Sequence, residues 1–229
     1  MSAEVLSPGP VQIEVRGVVR REDFTLSLDA VFDQERTAVV GPNGVGKTTL
    51  LRLIAGLERL KTGELKIDGQ LVDNGSSTFI AAHQRSVAVA FQDHRLFGHL
   101  RIIDNVAYPL RRAGLKRAAA RELAAGHLAS VGLTEAAVSR PAQLSGGQRQ
   151  RASIARALAT PASVLLLDEP LASVDDQSRE ALRNLLINAD HRTVVWVTHD
   201  PDDAKYADTT ITLTSDNTLA GTAAANSTN

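Results

Sequence analysis

A glycine-rich segment near residue 45 has the residue types and spacing of a phosphate-binding loop. Residues 41–48 match the pattern G-x-x-x-x-G-K-[ST] without a mismatch. Glycines allow backbone N–H groups to turn toward phosphate oxygens, and the N-terminus of a following helix adds partial positive charge. Lys47 would reach the β- and γ-phosphates, and the Thr48 hydroxyl would be a Mg²⁺ ligand. The residues predicted to bind the nucleotide are Gly41, Pro42, Asn43, Gly44, Val45, Gly46, Lys47, Thr48 and Thr49.

Two acidic residues follow an apolar run later in the chain. Residues 164–167 have the sequence of a buried strand, and Asp168 and Glu169 come directly after it. Ligands of α/β folds bind at the carboxyl ends of the strands. There Asp168 would hold the metal through water, and Glu169 would polarise an attacking water. Taken alone, the same residues could form a solvated acidic turn, which is common, but together with the glycine-rich segment that alternative becomes the minor one.

A second anion-binding pattern lies just before a predicted helix. Ser145 is followed by Gly146 and Gly147, which leaves free backbone N–H groups at the helix N-terminus. A single nucleotide does not need two such helices from one chain. The alternative is a plain serine N-cap with a flexible turn.

The segments around these motifs predict an α/β fold. Residues 24–30 alternate as in a half-buried strand, and residues 36–41 form a short β-like segment. Residues 50–57 have helical apolar spacing. Apolar runs at 164–167 and 193–197 are typical of strands buried in a parallel sheet. A strand before the glycine-rich loop and a helix after it favour a nucleotide site over a glycine turn with an exposed lysine.

The middle of the chain has a different composition. Residues 93–144 are rich in Ala, Arg and Leu, and residues 116–131 have the pattern of a helix. We interpret 93–144 as a helical subdomain inserted in a nucleotide-binding core that comprises residues 1–92 and 145–221. Residues 222–229 are small and polar and are predicted to be a disordered tail.

Composition excludes several classes of protein. Twenty-five Lys and Arg against 26 Asp and Glu give a formal charge of −1, so no overall positive field would attract nucleic acid. The chain has no cysteine, which excludes disulfides, thiolate metal sites and a cysteine nucleophile. Apolar runs are far shorter than a spanning helix, and the first residues lack the features of a secretion signal. A soluble intracellular protein is therefore expected.

In this order along the chain, the motifs resemble those of the nucleotide-binding subunit of an ATP-binding-cassette (ABC) transporter. Residues 144–148, Leu-Ser-Gly-Gly-Gln, match the signature motif of that family. Gln92, residues 171–175 and His199 fall at further family positions, and the resemblance covers about residues 11–220. It implies a P-loop NTPase core of the ABC ATPase type with an inserted α-helical subdomain and a small N-terminal antiparallel β part.

The resemblance also implies how two subunits would bind ATP and Mg²⁺. Family members form a head-to-tail homodimer with two ATP molecules in its interface. Each ATP would contact the phosphate loop of one subunit and the signature motif of the other, which accounts for two anion-binding helices in one chain. The signature residues expected to contact ATP are Ser145, Gly146, Gly147 and Gln148.

Roles at the reacting phosphate are implied by the same resemblance. His199 would contact the γ-phosphate and hold Glu169 and water in place, and Asp175 would link the two sites across the dimer. The expected catalytic residues are Glu169, His199 and Lys47. The expected metal ligands are Thr48, Gln92 and Asp168.

One position departs from the family pattern. Members usually have an aromatic residue before the second strand that stacks on adenine, but residues 17–22 contain none. Phe24 is the nearest aromatic residue, and its alternation with Leu26 predicts that it points into the core. Arg20 or Arg21 could stack its guanidinium on the base instead.

Residues 91–100 and 171–175 resemble those of importers, especially the ATPase subunits of molybdate uptake systems. The expected cargo is molybdate or a related oxyanion; another small solute, or a soluble ABC ATPase without transport, remains open. An importer implies separate membrane permease subunits, an extracytoplasmic solute-binding protein, and a place on the cytoplasmic side of the cell membrane. A C-terminal oxyanion-sensing domain is expected to be missing. The candidate permease contacts, with core packing as the alternative, are Leu96, Phe97 and Leu100.

Overall fold

A computed structural model describes residues 10–22, 24–172, 174–188 and 192–222. One of its two sheets is entirely parallel, with the strand order β6-β7-β8-β3-β9. Every residue of β7 and β8 is buried, as their nearly continuous apolar sequences require. The strands of this sheet are β3 (Arg36–Val40), β6 (Val87–Ala90), β7 (Val164–Asp168), β8 (Thr193–Thr198) and β9 (Thr209–Thr212).

The second sheet has the order β10-β2-β1-β4-β5. Its strands are β1 (Ile13–Arg21), β2 (Phe24–Phe32), β4 (Thr62–Ile67), β5 (Gln70–Asp73) and β10 (Thr218–Thr222). β1 pairs antiparallel with β2 and with β4, which matches the antiparallel part expected near the N-terminus. β10 instead pairs parallel with β2 and continues to Thr222, one residue into the segment predicted as a tail. Residues 223–229 lie outside the described residues.

Within the described ranges, four helices accompany the parallel sheet: α1 (Lys47–Ile54), α4 (Gly146–Leu158), α5 (Asp176–Ile187) and α6 (Pro201–Ala204). Two more, α2 (Ile102–Arg112) and α3 (Arg117–Ser130), lie within the segment predicted as a helical insertion. α3 buries Ala120, Ala124 and Leu128, one residue per turn, and Gly132 follows its end with a left-handed φ of 66°. α4 contacts α2 and α3 on one side and β6 and β7 on the other. Among all the residues that the structure describes, no helix is both long and apolar enough to cross a membrane.

A buried arginine fixes the C-terminal end of α1, the helix that begins at Lys47. Arg85 is 8% exposed and donates hydrogen bonds to the carbonyl oxygens of Leu53 (2.7 Å), Ile54 (2.9 Å) and Ile80 (2.8 Å). Burial lowers the pKa of Arg85 to about 10, so the guanidinium remains charged at neutral pH. Its positive charge lies at the negative end of the helix dipole, which favours this position.

Replacing Arg85 with Met should therefore lower the free energy of unfolding by about 2–4 kcal/mol, because several carbonyl groups in a buried environment each lose a donor. Urea unfolding followed by circular dichroism measures this loss. Arg59→Met is the matched control, since Arg59 also lies over the Phe79 ring but donates only to the exposed Ser76 carbonyl. The control should change stability by no more than about 0.5 kcal/mol. Equal losses in both variants would contradict the role assigned to Arg85.

Candidate functional site

A cavity of about 890 Å³ lies where the carboxyl ends of β3, β7 and β8 meet. Its lining brings together the glycine-rich loop, the acidic pair and two residues that are distant in sequence, Gln92 and His199. The sequence-predicted residues that line it are Asn43, Gly44, Gly46, Lys47, Thr48, Thr49, Gln92, Asp168, Glu169 and His199. Gly41, Pro42 and Val45 do not line it, and the Val45 side chain lies in the core.

The glycine-rich loop adopts a conformation that requires glycine at two positions. Gly44 and Gly46 have φ angles of +83° and +108°, in the region that side chains disfavour. A Cβ atom on Gly46 would also lie 2.8 Å from Cζ of Phe24. α1 begins at the next residue, and the first amide groups of a helix have no partner within it. These amides are available to an anion in the cavity.

Lys47 is held between the loop and the acidic pair. Its Nζ atom donates to the carbonyl oxygens of Gly41 (2.7 Å) and Pro42 (3.0 Å) and lies 4.0 Å from Oε1 of Glu169. The side chain is only 8% exposed. A buried ammonium group with carbonyl partners and one nearby carboxylate is positioned for an anion that enters the cavity.

Asp168 and Thr48 form a direct contact between the two motifs. The Thr48 hydroxyl donates to Oδ2 of Asp168 at 2.9 Å, across 120 residues of sequence. Burial raises the pKa of Asp168; the Thr48 hydrogen bond opposes this, and the Glu169 charge adds to it. Gln92 lines the same cavity and is exposed. Hydroxyl, carboxylate and amide oxygens are the ligands that Mg²⁺ accepts, so this set of residues fits that ion.

Glu169 and His199 are paired beside the cavity. His199 Nδ1 lies 2.9 Å from Oε1 of Glu169, whose side chain is 10% exposed against 54% for the histidine. Glu169 has a left-handed φ of +49°, which is uncommon for a residue other than glycine. Its backbone N–H donates to the Val197 carbonyl (3.0 Å) and its own carbonyl accepts from Gln150 (3.3 Å). The surrounding structure thus holds the carboxylate in place.

The signature residues do not line the cavity of their own chain. Ser145 caps α4: its hydroxyl accepts from the Gln148 N–H at 3.2 Å, and the Gln148 side chain accepts from the Ser145 N–H at 2.9 Å. The N-cap interpretation of the sequence is therefore correct within one subunit. Gly146 has open space beside it, since a Cβ atom added there would meet nothing within 4 Å outside its own helix turn. Asp175 likewise caps α5, accepting from the Ser178 N–H at 3.0 Å, while Ser173 lies outside the described residues.

Phe24 packs against the core, as its alternation predicts, but it also has a contact with the cavity that the sequence did not indicate. Phe24 shares the face of β2 that carries Leu26, as its alternation indicates, but it is only partly buried and lines the cavity. Because it is the first residue of the strand, its ring reaches over the glycine-rich loop at Gly46. Arg21 and Glu22 line the cavity beside it. Of the two arginines considered for base stacking, Arg21 is the one that lines the cavity.

Comparison with known proteins identifies the family of the chain. A family model described as ABC transporter matches residues 25–172. The Fe(3+) ions import ATP-binding protein FbpC 1 of Rhizobium meliloti is 43% identical over 80% of this chain and 51% of its own length. The spermidine/putrescine import ATP-binding protein PotA of Roseobacter denitrificans is 41% identical over 89% of this chain and 56% of its own length. The chain thus spans about half the length of these curated relatives.

A solved structure supports the fold assignment. The dimeric structure of a post-hydrolysis state of the ATP-binding cassette MJ0796 bound to ADP and Pi is 28% identical, with a TM-score of 0.79 over 92% of this chain and 97% of that chain. The fold class expected from the sequence is confirmed. The matching family model and the relatives above 40% identity show that this chain belongs to the ABC transporter family, as an ATP-binding cassette.

Proposed function

We propose that this protein is the ATP-hydrolysing subunit of an ABC importer and drives a separate membrane permease. The observation that carries the proposal is the Glu169–His199 pair beside a phosphate loop, with Lys47 Nζ 4.0 Å from Glu169 Oε1. A buried carboxylate at this place is suited to orienting water against a bound phosphate. A site that only bound nucleotide would have no use for it.

ATP is the substrate of the proposed reaction. The N–H groups of the loop and of the first turn of α1 would bind its phosphate oxygens, and Lys47 would move from its carbonyl partners to the β- and γ-phosphates. Thr48, Gln92 and Asp168 would hold Mg²⁺. When bound, this ion neutralises charge on the β- and γ-phosphate oxygens. The Phe24 ring and the Arg21 guanidinium lie where they could contact the base.

Hydrolysis requires one positioned water and one carboxylate. Glu169 would accept a hydrogen bond from the attacking water and direct it at the γ-phosphorus, while the bond from that phosphorus to the leaving ADP oxygen breaks. The His199 contact fixes the direction of the carboxylate. Glu169 has a left-handed backbone directly after β7, and its side chain lines the cavity.

Two copies are needed for a complete site in this proposal. The N-terminus of α4 is capped and partly exposed, yet it does not line the cavity of its own chain. In a head-to-tail homodimer, Ser145, Gly146, Gly147 and Gln148 would close the ATP site of the other copy. The dimeric state of the structural relative described above supports this arrangement.

The permease would contact the surface formed by the loop before α2 and by α2 itself. The Phe97 ring lies 4.8 Å from the ring of Tyr108, which is 42% exposed. Leu96 and Leu100 are partly buried, so they contribute to packing as well as to this surface. Binding there would place the protein on the cytoplasmic side of the membrane, in a system that also includes an extracytoplasmic solute-binding protein.

The transported solute is proposed from the relatives. The names of the relatives described above refer to Fe(3+) ions and to spermidine and putrescine, not to molybdate. The comparisons therefore favour the alternative of another small solute over molybdate. We place Fe(3+) first and polyamines second. A soluble ABC ATPase without transport is the less favoured candidate.

Solute uptake tests the transport proposal directly. Cells that lack this gene should lose uptake of labelled Fe(3+), and wild-type protein should restore it while Glu169→Gln should not. Labelled spermidine and molybdate are measured in parallel, so that each candidate has its own result. If uptake of all three is unchanged in cells that lack this gene and have no redundant importer, none of these solutes is the cargo. Protein that stays in the soluble fraction when membranes are isolated would favour the non-transport alternative.

Glu169→Gln should lower ATP turnover by roughly 10²–10⁴-fold, because the amide cannot act as a base. ATP binding should persist, and size-exclusion chromatography with ATP should show a dimer. Lys47→Ala is the comparison variant, since it should lose binding of ATP itself. Wild-type turnover by Glu169→Gln would overturn the assignment of the base, and a monomer with bound ATP would overturn the shared site.

Asp168→Asn should make the nucleotide-free protein more stable at pH 7.5. The raised pKa of Asp168 means that its ionised form is disfavoured in the folded state. Its contribution to folding stability is therefore present below the pKa of an unfolded aspartate and falls as the pH rises through the raised pKa of the folded state. Removing the charge should raise Tm by roughly 2–4 °C, which corresponds to about 1 kcal/mol in the free energy of unfolding.

Differential scanning calorimetry across pH measures this effect. The gain should shrink as the pH is lowered toward the pKa of Asp168, and the variant should lose the stabilisation that Mg²⁺ and ATP give the wild type. Asp29→Asn, at an exposed carboxylate, should give no such gain. A nucleotide-free Asp168→Asn protein less stable than wild type at pH 7.5 would contradict the electrostatic argument.

A further inference from the structure

The loop after Gln92 has an unfavourable backbone. His94 and Arg95 follow one another with φ angles of +58° and +45°. Two successive residues other than glycine in the left-handed region are disfavoured, because each Cβ crowds the backbone. Such a conformation persists only where neighbouring groups hold it.

Some of those neighbouring groups belong to the loop itself, where Arg95 pairs with Asp93, and the others come from one helix, α4. Arg156 donates from Nη1 to the carbonyl oxygen of Arg95 at 2.7 Å and from Nη2 to that of His94 at 3.0 Å. The Ser153 hydroxyl donates to the same His94 oxygen at 3.0 Å. The planar guanidinium thus bridges two consecutive carbonyl groups of the loop, a geometry that suits its fork of donors.

The Arg156 guanidinium contacts the loop carbonyl groups and the Phe97 ring, but no acidic side chain among the described residues. Burial lowers the pKa of Arg156, and no carboxylate of the described residues offsets the cost. Some other arginines of the chain have acidic partners: Arg36 pairs with Asp208, and Arg121 pairs with Asp104. A half-buried cation that donates to carbonyl groups without a counter-ion is costly unless those hydrogen bonds are needed.

The loop joins two places that the proposed function uses. Gln92, at its start, lines the ATP cavity, and Phe97, at its end, belongs to the proposed permease surface and lies with its ring centroid 5.5 Å from the Arg156 guanidinium. α4 itself begins at the signature motif and, through Gln150, contacts the carbonyl of Glu169. Arg156 therefore connects the signature helix to the loop that runs from the ATP cavity to the proposed permease surface.

We propose that Arg156 is a positioning residue that holds the 92–97 loop in its left-handed form and thereby places Gln92 at the ATP site. The inference rests on the proposed function, because its readout is ATP hydrolysis. Without Arg156 the loop relaxes, Gln92 leaves the cavity, and the loop is no longer tied to the signature helix. The whole effect of Arg156 on hydrolysis passes through Gln92.

A double-mutant cycle with Arg156→Met and Gln92→Ala tests this statement. Each single variant should lower kcat by about 10-fold, since small displacements of a positioned group are costly to rate. Each should also raise the Mg²⁺ concentration for half-maximal activity. The double variant should be no slower than Gln92→Ala alone, within about twofold. Independent effects would instead multiply to about 100-fold, and that result would overturn the proposal.

Arg151→Met is the matched control. Arg151 lies on the same helix and also donates to a carbonyl oxygen, that of Val131 at 3.0 Å, away from the 92–97 loop. Its replacement should leave the Mg²⁺ dependence unchanged, and any loss of kcat should multiply with that of Gln92→Ala.

If Arg156→Met does not fold, Arg156→Lys replaces it in the double-mutant cycle, because lysine keeps the charge but lacks the planar fork of hydrogen-bond donors. A defect in Arg156→Met or Arg156→Lys while Gln92→Ala is fully active would also overturn the proposal, as would full activity in all of them. Failure of the proposed function is distinguished by Lys47→Ala: unimpaired ATP binding by that variant would refute the ATP site whatever the cycle shows.

Discussion

The strand order β7-β8-β3 is the constraint on which the site depends. In a parallel sheet every strand ends at the same edge, so the residues that follow three neighbouring strands must lie side by side. The glycine-rich loop follows β3, the acidic pair ends β7, and His199 follows β8. The Thr48–Asp168 and Glu169–His199 contacts are the direct result of this adjacency. The apolar sequences of β7 and β8, buried throughout, keep the order fixed.

A second organising element is α4, which belongs to both parts of the molecule. Its apolar side chains join the core that contains α2 and α3, and its polar side chains contact the site. Gln150 contacts the carbonyl of Glu169, and Arg156 contacts the loop after Gln92. One rigid helix therefore relates the signature end to two separate parts of the ATP cavity. A shift of α4 would therefore displace Glu169 and the loop after Gln92 together.

Contiguous motifs could be predicted from the sequence, because their function resides in neighbouring residues. The glycine-rich loop and the cap at Ser145 are of this kind, as is the end of α3 before Gly132. The prediction for Phe24 was incomplete, since alternation correctly gave its face of the strand but not the position of this first residue over a loop. Arg85 and Arg156 gave no local signal, because their partners are backbone carbonyls distant in sequence. The solute could not be predicted from residues that bind ATP.

The pairing of β10 with β2 has a consequence for synthesis of the chain. Residues 218–222 form a parallel ladder with residues 27–31, so β2 keeps an open hydrogen-bonding edge until almost all of the described chain has left the ribosome. Exposed strand edges recruit other strands, and contacts of such long sequence separation form slowly. The nascent protein is thus prone to misassociation in the interval after the ATP cavity residues have been synthesised and before β10 pairs with β2.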